Sequence, residues 1–246
     1  MRIDVLTLFP EMFSAITESS ITGRAAEKGI LDIRPTNIRD FSEDKHRRAD
    51  DSPFGGGVGM VMTADPVFRA LEAIGAKGKR LLYMSPRGRM LDYAQILELS
   101  EQNEIVVLCG HYEGVDERVL EYWDMEEISI GDYILTGGEL AAMVLIDAVA
   151  RMISGVLGDY QSAGEESIYS GLLEHPQYTK PREYRGMQVP EVLVNGNHEL
   201  IRLWKFEQSL ALTKKNRPDL FLRYLSGCGS LSKKEKKILE KVMEMT

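Results

Sequence analysis

Three β-prone runs each give way at once to a loop that carries glycine, and no other feature of the chain restricts its fold as tightly. Arg80 to Met84 leads into Ser85-Pro86-Arg87-Gly88, Ile105 to Cys109 into Gly110-His111-Tyr112-Glu113-Gly114, and Glu127 to Ile130 into Gly131-Asp132-Tyr133 and on to Gly137-Gly138. With two more short β-prone runs, Ile3 to Phe9 and Leu31 to Ile38, flanking a helix expected from Glu11 to Lys28 and ended by Gly29, the alternation is that of an α/β layer. Ligands of parallel α/β sheets gather at the carboxyl ends of strands, where bare backbone can approach them. The three loops are therefore expected to share one pocket.

Glu139 to Ile153 reads as a strong helix with Arg151 near its end, where a cation opposes the helix dipole. Small and polar residues from Gly158 to Ser167 then break the pattern and mark a linker. Helices are expected beyond it: His198 to Leu212, one opened by Pro218 over Asp219 to Leu225, and a Lys-rich one capped by Ser232 and Glu235. The boundaries predicted are 1–158 for an N-terminal domain, 159–173 for the linker and 174–246 for a helical domain. Charge divides the same way: residues 1–170 hold 16 Lys and Arg against 29 Asp and Glu, residues 171–246 hold 14 against 9. The net −8 of the whole chain hides a basic half suited to nucleic acid.

Other chemistries lack their residues. Gly55-Gly56-Gly57-Val58-Gly59-Met60 has neither the Lys-Ser/Thr of a phosphate loop nor the third glycine of a dinucleotide fingerprint, and reads as a loop able to close over a ligand beside Arg47, Arg48, Asp50 and Asp51. His46, His111, His175 and His198 fall at no metal-ligand spacing, no nucleophile elbow is present, and Cys109 and Cys228 stand too far apart for a zinc motif. Hydrolase and zinc-enzyme readings therefore rank low. The longest apolar run, Leu140 to Ile146, is too short to span a bilayer, and the N-terminal run lacks the marks of a signal peptide, so a cytoplasmic location is expected.

Taken as a set, the motifs resemble one family. Asp4 to Phe13, Gly55 to Met60, Leu108 to Arg118, Ser129 to Glu139, Gly171 to Glu174, Pro176 to Thr179, Gly196-Asn197-His198 with Trp204, and Arg217 to Leu220 are similar, in order and from end to end, to the bacterial tRNA (guanine-N(1)-)-methyltransferases of the SPOUT class, which act at tRNA position 37. The resemblance implies a parallel α/β sheet with a deep trefoil knot, a small helical C-terminal domain, and a homodimer with interfacial active sites. It implies S-adenosylmethionine as methyl donor, held by Ser85, Pro86 and Gly88, by Gly110, Tyr112 and Glu113, and by Ile130, Gly131, Asp132, Tyr133, Ile134, Leu135, Gly137 and Gly138. At those glycines a side chain is expected to take space that the adenosine needs.

Guanine's ring nitrogen 1 carries a proton, so a base must remove it while a cation stabilises the charge that shifts to the carbonyl oxygen. By resemblance the base is Glu166, where the family has aspartate, with Glu165 as the alternative. Arg151 is the cation and Glu113 a positioning group. Magnesium accompanies the family's reaction, and no carboxylate constellation in the sequence marks its site. The anticodon arm of tRNA is the expected partner, with Lys180, Arg182, Arg185, Lys214, Lys215 and Arg217 as phosphate contacts. Val58, Ala141, Arg87, His111 and Lys180 depart from the family's usual Pro, Pro, Gln, Arg and Arg, and the two at the pocket rim, Arg87 and His111, bear on donor affinity. Another SPOUT RNA methyltransferase, or an RNA-binding relative without activity, would share these motifs.

Overall fold

Strands buried on both faces need no polar side, and that is the pattern here: Ile105 to Cys109 is solvent-free throughout, as are Ile3, Val5 and Leu6. In the computed structural model, which describes residues 1–157, 170–227, 229 and 231–244, they lie in β1 (Arg2–Thr7) and β6 (Glu104–Cys109). A five-stranded, wholly parallel sheet runs β2 (Asp32–Asn37), β1, β6, β5 (Arg80–Met90), β7 (Glu126–Ser129). Pro35 lies in β2, an edge strand, where a missing N–H is tolerated.

On one side of the sheet α3 (Ala64–Ala73) and α5 (Glu117–Tyr122) close a core of Leu6, Ile38, Met62, Val67, Leu71, Leu108 and Val119. A second pair, α4 (Tyr93–Ser100) and α6 (Glu139–Met152), pack on each other, α6 burying Ala142, Leu145, Ile146 and Val149. The chain divides into two compact units, Met1–Tyr160 and Gln161–Thr246. The expected linker, Gly158 to Ser167, lies outside the described residues.

Two expectations are corrected. The helix from Glu11 to Lys28 is a 3-10 turn (Pro10–Phe13), a short α1 (Ser14–Thr17) and a separate α2 (Ser20–Glu27). Ser20 has φ 60°, and the chain doubles back so tightly that a Cβ on Gly23 would lie 2.7 Å from the Glu18 carbonyl carbon. Hydroxyl side chains clustered there compete for backbone groups, which disfavours a helix interior. Nor does the strand expected at Arg80 to Met84 end there. It continues to Met90, with Ile128 of β7 aligned with both Met84 and Arg89, so that residues 85–88 arch out between the two pairings. The excursion then returns: the Leu91 N–H donates to the Ser129 carbonyl at 2.8 Å.

In the C-terminal unit α7 (His198–Asn216), α8 (Pro218–Gly227) and α9 (Lys233–Glu244) enclose Leu172, Leu210, Phe221 and Val242. Asn197 caps α7 through the Leu200 N–H, 3.2 Å, and Pro218 fills the first position of α8, where no N–H is needed. The expected cap of α9 is a reciprocal box. Ser232 N–H donates to Glu235 Oε2 at 2.8 Å and Glu235 N–H to Ser232 Oγ at 3.3 Å.

Candidate active site

The three glycine loops meet. Beside the arch of residues 85–88 in β5 and at the carboxyl ends of β6 and β7 they bound a cavity of about 390 Å³, within the roughly 300–1,000 Å³ of small-molecule sites. Ser85 and Pro86 supply one wall, Gly110, Tyr112 and Glu113 a second, and Ile130, Gly131, Tyr133, Ile134, Leu135, Gly137 and Gly138 the third. The rim residues Arg87 and His111, and Ala141, also line it. Gly88 and Asp132 fall outside its lining. Val61, Tyr83 and Thr136 line it without having been singled out in the sequence; Tyr83 was hidden as one buried position of an apolar strand.

The glycines sit in close contact with their protein surroundings. A Cβ on Gly88 would fall inside the backbone of Glu127 and Ile128, one on Gly110 would lie 2.7 Å from the Tyr83 hydroxyl, and one on Gly138 2.9 Å from the Cys109 Cα. On Gly131 it would strike the Tyr133 ring, and on Gly137 the Glu139 carboxylate and His111. At these positions the loops pack on the sheet and on each other without room for a side chain, which sets the cavity's shape. Burial pushes the Tyr83 phenol above its usual pKa, keeping the group under Gly110 neutral.

The loop after β6 is pinned on two sides. Tyr112 has φ 59°, uncommon for a bulky residue, and its hydroxyl accepts from Arg39 at 3.2 Å. The Glu113 N–H donates to the Met60 carbonyl at 3.0 Å, and the Met62 N–H to the Gly114 carbonyl at 2.9 Å. Met62 belongs to a small hairpin, β3 (Asp50–Asp51) with β4 (Val61–Met62), from which the Gly55 to Gly59 loop projects. Gly59, at φ 99°, faces the Glu113 carboxylate so closely that a Cβ would come within 2.5 Å of it. That glycine-rich loop thus abuts one wall of the cavity, while its Phe54 and Val58 stand in solvent.

Beside Gly137 in the third wall, Glu139 is 2% exposed and its carboxylate accepts from the Thr7 hydroxyl at 2.8 Å. His111 Nδ1 lies 4.0 Å from it, and the ring packs between Phe9 and Tyr112. At the rim the Arg87 guanidinium bonds Glu127 at 3.0 Å and Glu117 at 3.1 Å, which raises its pKa.

Of the expected catalytic groups, Glu113 lines the cavity and Arg151 sits half-buried in the last turn of α6. Glu165 and Glu166 lie outside the described residues. The basic candidates all fall in the C-terminal unit, with unequal freedom. Lys214 Nζ donates to the Val242 and Met243 carbonyls, 3.0 and 2.9 Å, tying α7 to the end of α9, and Arg217 pairs with Asp219 at 2.7 Å. Lys180, Arg182, Arg185 and Lys215 are exposed or half-exposed. Among the described residues no group of three or more His, Cys, Asp or Glu could hold a metal ion, and no helix is long and apolar enough to cross a membrane.

Comparison with known proteins identifies a family. The model of the tRNA (guanine-1)-methyltransferase TrmD family matches residues 1–223. The tRNA (guanine-N(1)-)-methyltransferase of Desulforamulus reducens is 52% identical over 243 residues, covering 97% of this chain and 94% of that protein. That of Carboxydothermus hydrogenoformans is 56% identical over 220 residues, 89% of this chain and 87% of the relative. The one from Clostridium botulinum is 50% identical over 241 residues, 98% of each. With a match of this length laid over a parallel sheet and a cavity of three glycine loops, the chain belongs to the TrmD family of tRNA (guanine-1)-methyltransferases, a family of the SPOUT knot class.

Proposed function

We propose that this protein transfers a methyl group from S-adenosylmethionine to ring nitrogen 1 of guanosine at position 37 of tRNA. The observation that carries the reading is the convergence of the three motif loops on one cavity in a chain that matches its family over residues 1–223. The cavity suits the donor: loop backbone such as that of Gly137 offers hydrogen bonds to an adenine edge, and Ile128, Ile130 and Leu135 offer an apolar wall. When bound, the donor supplies a methyl already activated on a sulfonium, so the protein's chemical work falls on the acceptor.

Glu166 takes the proton from guanine nitrogen 1, Arg151 stabilises the negative charge that moves to the carbonyl oxygen, and Glu113 positions the reacting groups. Residues 1–158 bind donor and target base, 159–173 form the linker that carries the base, and 174–246 hold the anticodon arm, with Lys180, Arg182, Arg185 and Lys215 on its phosphates. The active unit is a homodimer with interfacial sites, working in the cytoplasm, and magnesium assists the reaction. Labelled methyl transfer to a tRNA transcript bearing guanosine at position 37, against the same transcript with adenosine there, tests the proposal. Transfer to the first alone is expected; equal transfer to both, or to neither, overturns it.

A further inference from the structure

In the C-terminal unit the hairpin of β8 (Glu183–Tyr184) and β9 (Met187–Gln188) is exposed at all four strand positions, so it adds nothing to the core around Leu210 and Phe221. Its turn is unusual. Arg185 at φ 54° and Gly186 at φ 78° both occupy the left-handed region, as a two-residue hairpin turn of this hand requires, and the first of those places favours Asn, Asp or Gly. An arginine held there against its backbone preference has its guanidinium carbon 5.3 Å from the centroid of the preceding Tyr184 ring, within cation–π range. Tyr184 as a whole is still 57% exposed. Tyr178 nearby in sequence is 49% exposed, but its ring lies against Trp204 at 6.3 Å.

We infer that this hairpin is a stacking platform for one unpaired nucleobase: the base lies on the open surface of the Tyr184 ring, and Arg185 backs the ring and carries the charge that meets the adjoining phosphate. The inference rests on the reading of RNA as substrate. Lys180, Arg182 and Arg185 fall within six residues, with Glu183 the one acid among them, so the occupant is an anion. A single flat π surface beside cations suits a base still attached to its phosphates, and only an unpaired base has a free face to offer. With its Cζ 5.3 Å over the ring, the Arg185 guanidinium has donors to spare for phosphate.

The full-length protein is titrated with an anticodon-arm RNA hairpin carrying 2-aminopurine at each loop position in turn, and with a duplex of equal length. Wild type is expected to quench one loop position. Tyr184→Phe should keep that quenching. Tyr184→Ala should lose it, weaken loop binding about tenfold, the lower part of the range for a base stack, raise KM for RNA and leave kcat and the salt dependence of binding unchanged. Arg185→Ala should flatten the salt dependence, whereas Arg185→Lys should not. Unaltered quenching and affinity in Tyr184→Ala, or duplex bound as tightly as loop, overturns the inference. So does loss of affinity in Tyr184→Phe as large as in Tyr184→Ala. If wild type transfers no methyl but Tyr184→Ala still abolishes the quench, the stacking platform stands and the proposed activity fails; methyl transfer with a Tyr184→Ala variant identical to wild type gives the reverse.

Discussion

Gly138 donates its N–H to the Gly110 carbonyl oxygen across 2.7 Å, joining the loops after β6 and β7 with no side chain between them. A Cβ on Gly138 would meet the Cys109 Cα at 2.9 Å and the Gly110 nitrogen at 3.0 Å, and both are backbone atoms that cannot swing away. Gly138→Ala is therefore expected to part the loops, cutting affinity for S-adenosylhomocysteine more than tenfold in calorimetry and costing about 1–3 kcal/mol of stability by overpacking. Gly75, at φ 64° with open space around it, supplies the control. Gly75→Ala should cost about 1 kcal/mol through backbone strain alone and leave affinity as it was.

Gly59 and Glu113 make a second such pair, this time between backbone and carboxylate. Alanine at Gly59 is strained by φ 99° and pushes the Glu113 side chain from its place, so Gly59→Ala and Glu113→Gln should each lower kcat/KM by about tenfold or more, roughly 1.4 kcal/mol. The double variant is expected to fall little below the worse single one, because both changes remove the same positioned group. Strict additivity in single-turnover rates would mean that the glycine loop acts independently of Glu113.

Neighbouring lysines in the last turn of α7 should part company. Lys214 ties the end of α9 through two carbonyl oxygens, at 3.0 and 2.9 Å, and its replacement by alanine should cost stability of about 1–3 kcal/mol, since charge-assisted hydrogen bonds are lost. Lys215 is exposed. Lys215→Ala should leave the melting temperature alone and reduce the salt slope of tRNA binding by about one. Identical behaviour of the two variants in thermal melts and salt titrations would contradict the assignment.

How much of this could be read from residues alone depended on whether the cause was local. Ile105 to Cys109 announces a doubly buried strand because five apolar residues in a row admit little else, and Ser232 with Glu235 announces a cap because the partners are three positions apart. The split between α1 and α2 was not legible: it depends on Gly23 receiving the Glu18 backbone, a contact that composition does not encode. Extension of β5 to Met90 was hidden by the arch of residues 85–88, since Arg89 and Met90 pair again only because β7 lies alongside. Similarly, the glycine loops signalled a pocket, but their packing on Tyr83, Cys109 and Ile128 needed the strand order.

Acid should loosen the last helix in a defined window. The Ser232 hydroxyl, with Arg202 and the Ser232 N–H, holds the Glu235 carboxyl down at about 2 against an ordinary 4.5. A carboxyl whose folded pKa is depressed contributes stability in full above its unfolded value, and that contribution is lost as pH falls toward the folded one, here from 4.5 toward 2. The gap in urea stability between wild type and Glu235→Ala, about 1 kcal/mol for a capping box that pairs with Arg202, should be constant near neutrality and shrink below 4.5. A gap that widened with acid would reverse the sign and refute the capping role.

The proposed base carries the sharpest test. A carboxylate at Glu166 must be ionised to accept the guanine proton, so single-turnover methyl transfer should rise with pH to a plateau and Glu166→Gln should fall by about a hundredfold or more, the usual contribution of a general base. Glu165→Gln should retain most of the rate; the opposite pattern would move the role one residue along the chain. Neutralising both while transfer continues undiminished would mean that the proton leaves by another route. The donor-binding experiment separates these outcomes from misfolding, because Glu166→Gln should hold S-adenosylhomocysteine as tightly as wild type: the three loops that shape the cavity lie wholly within residues 85–138.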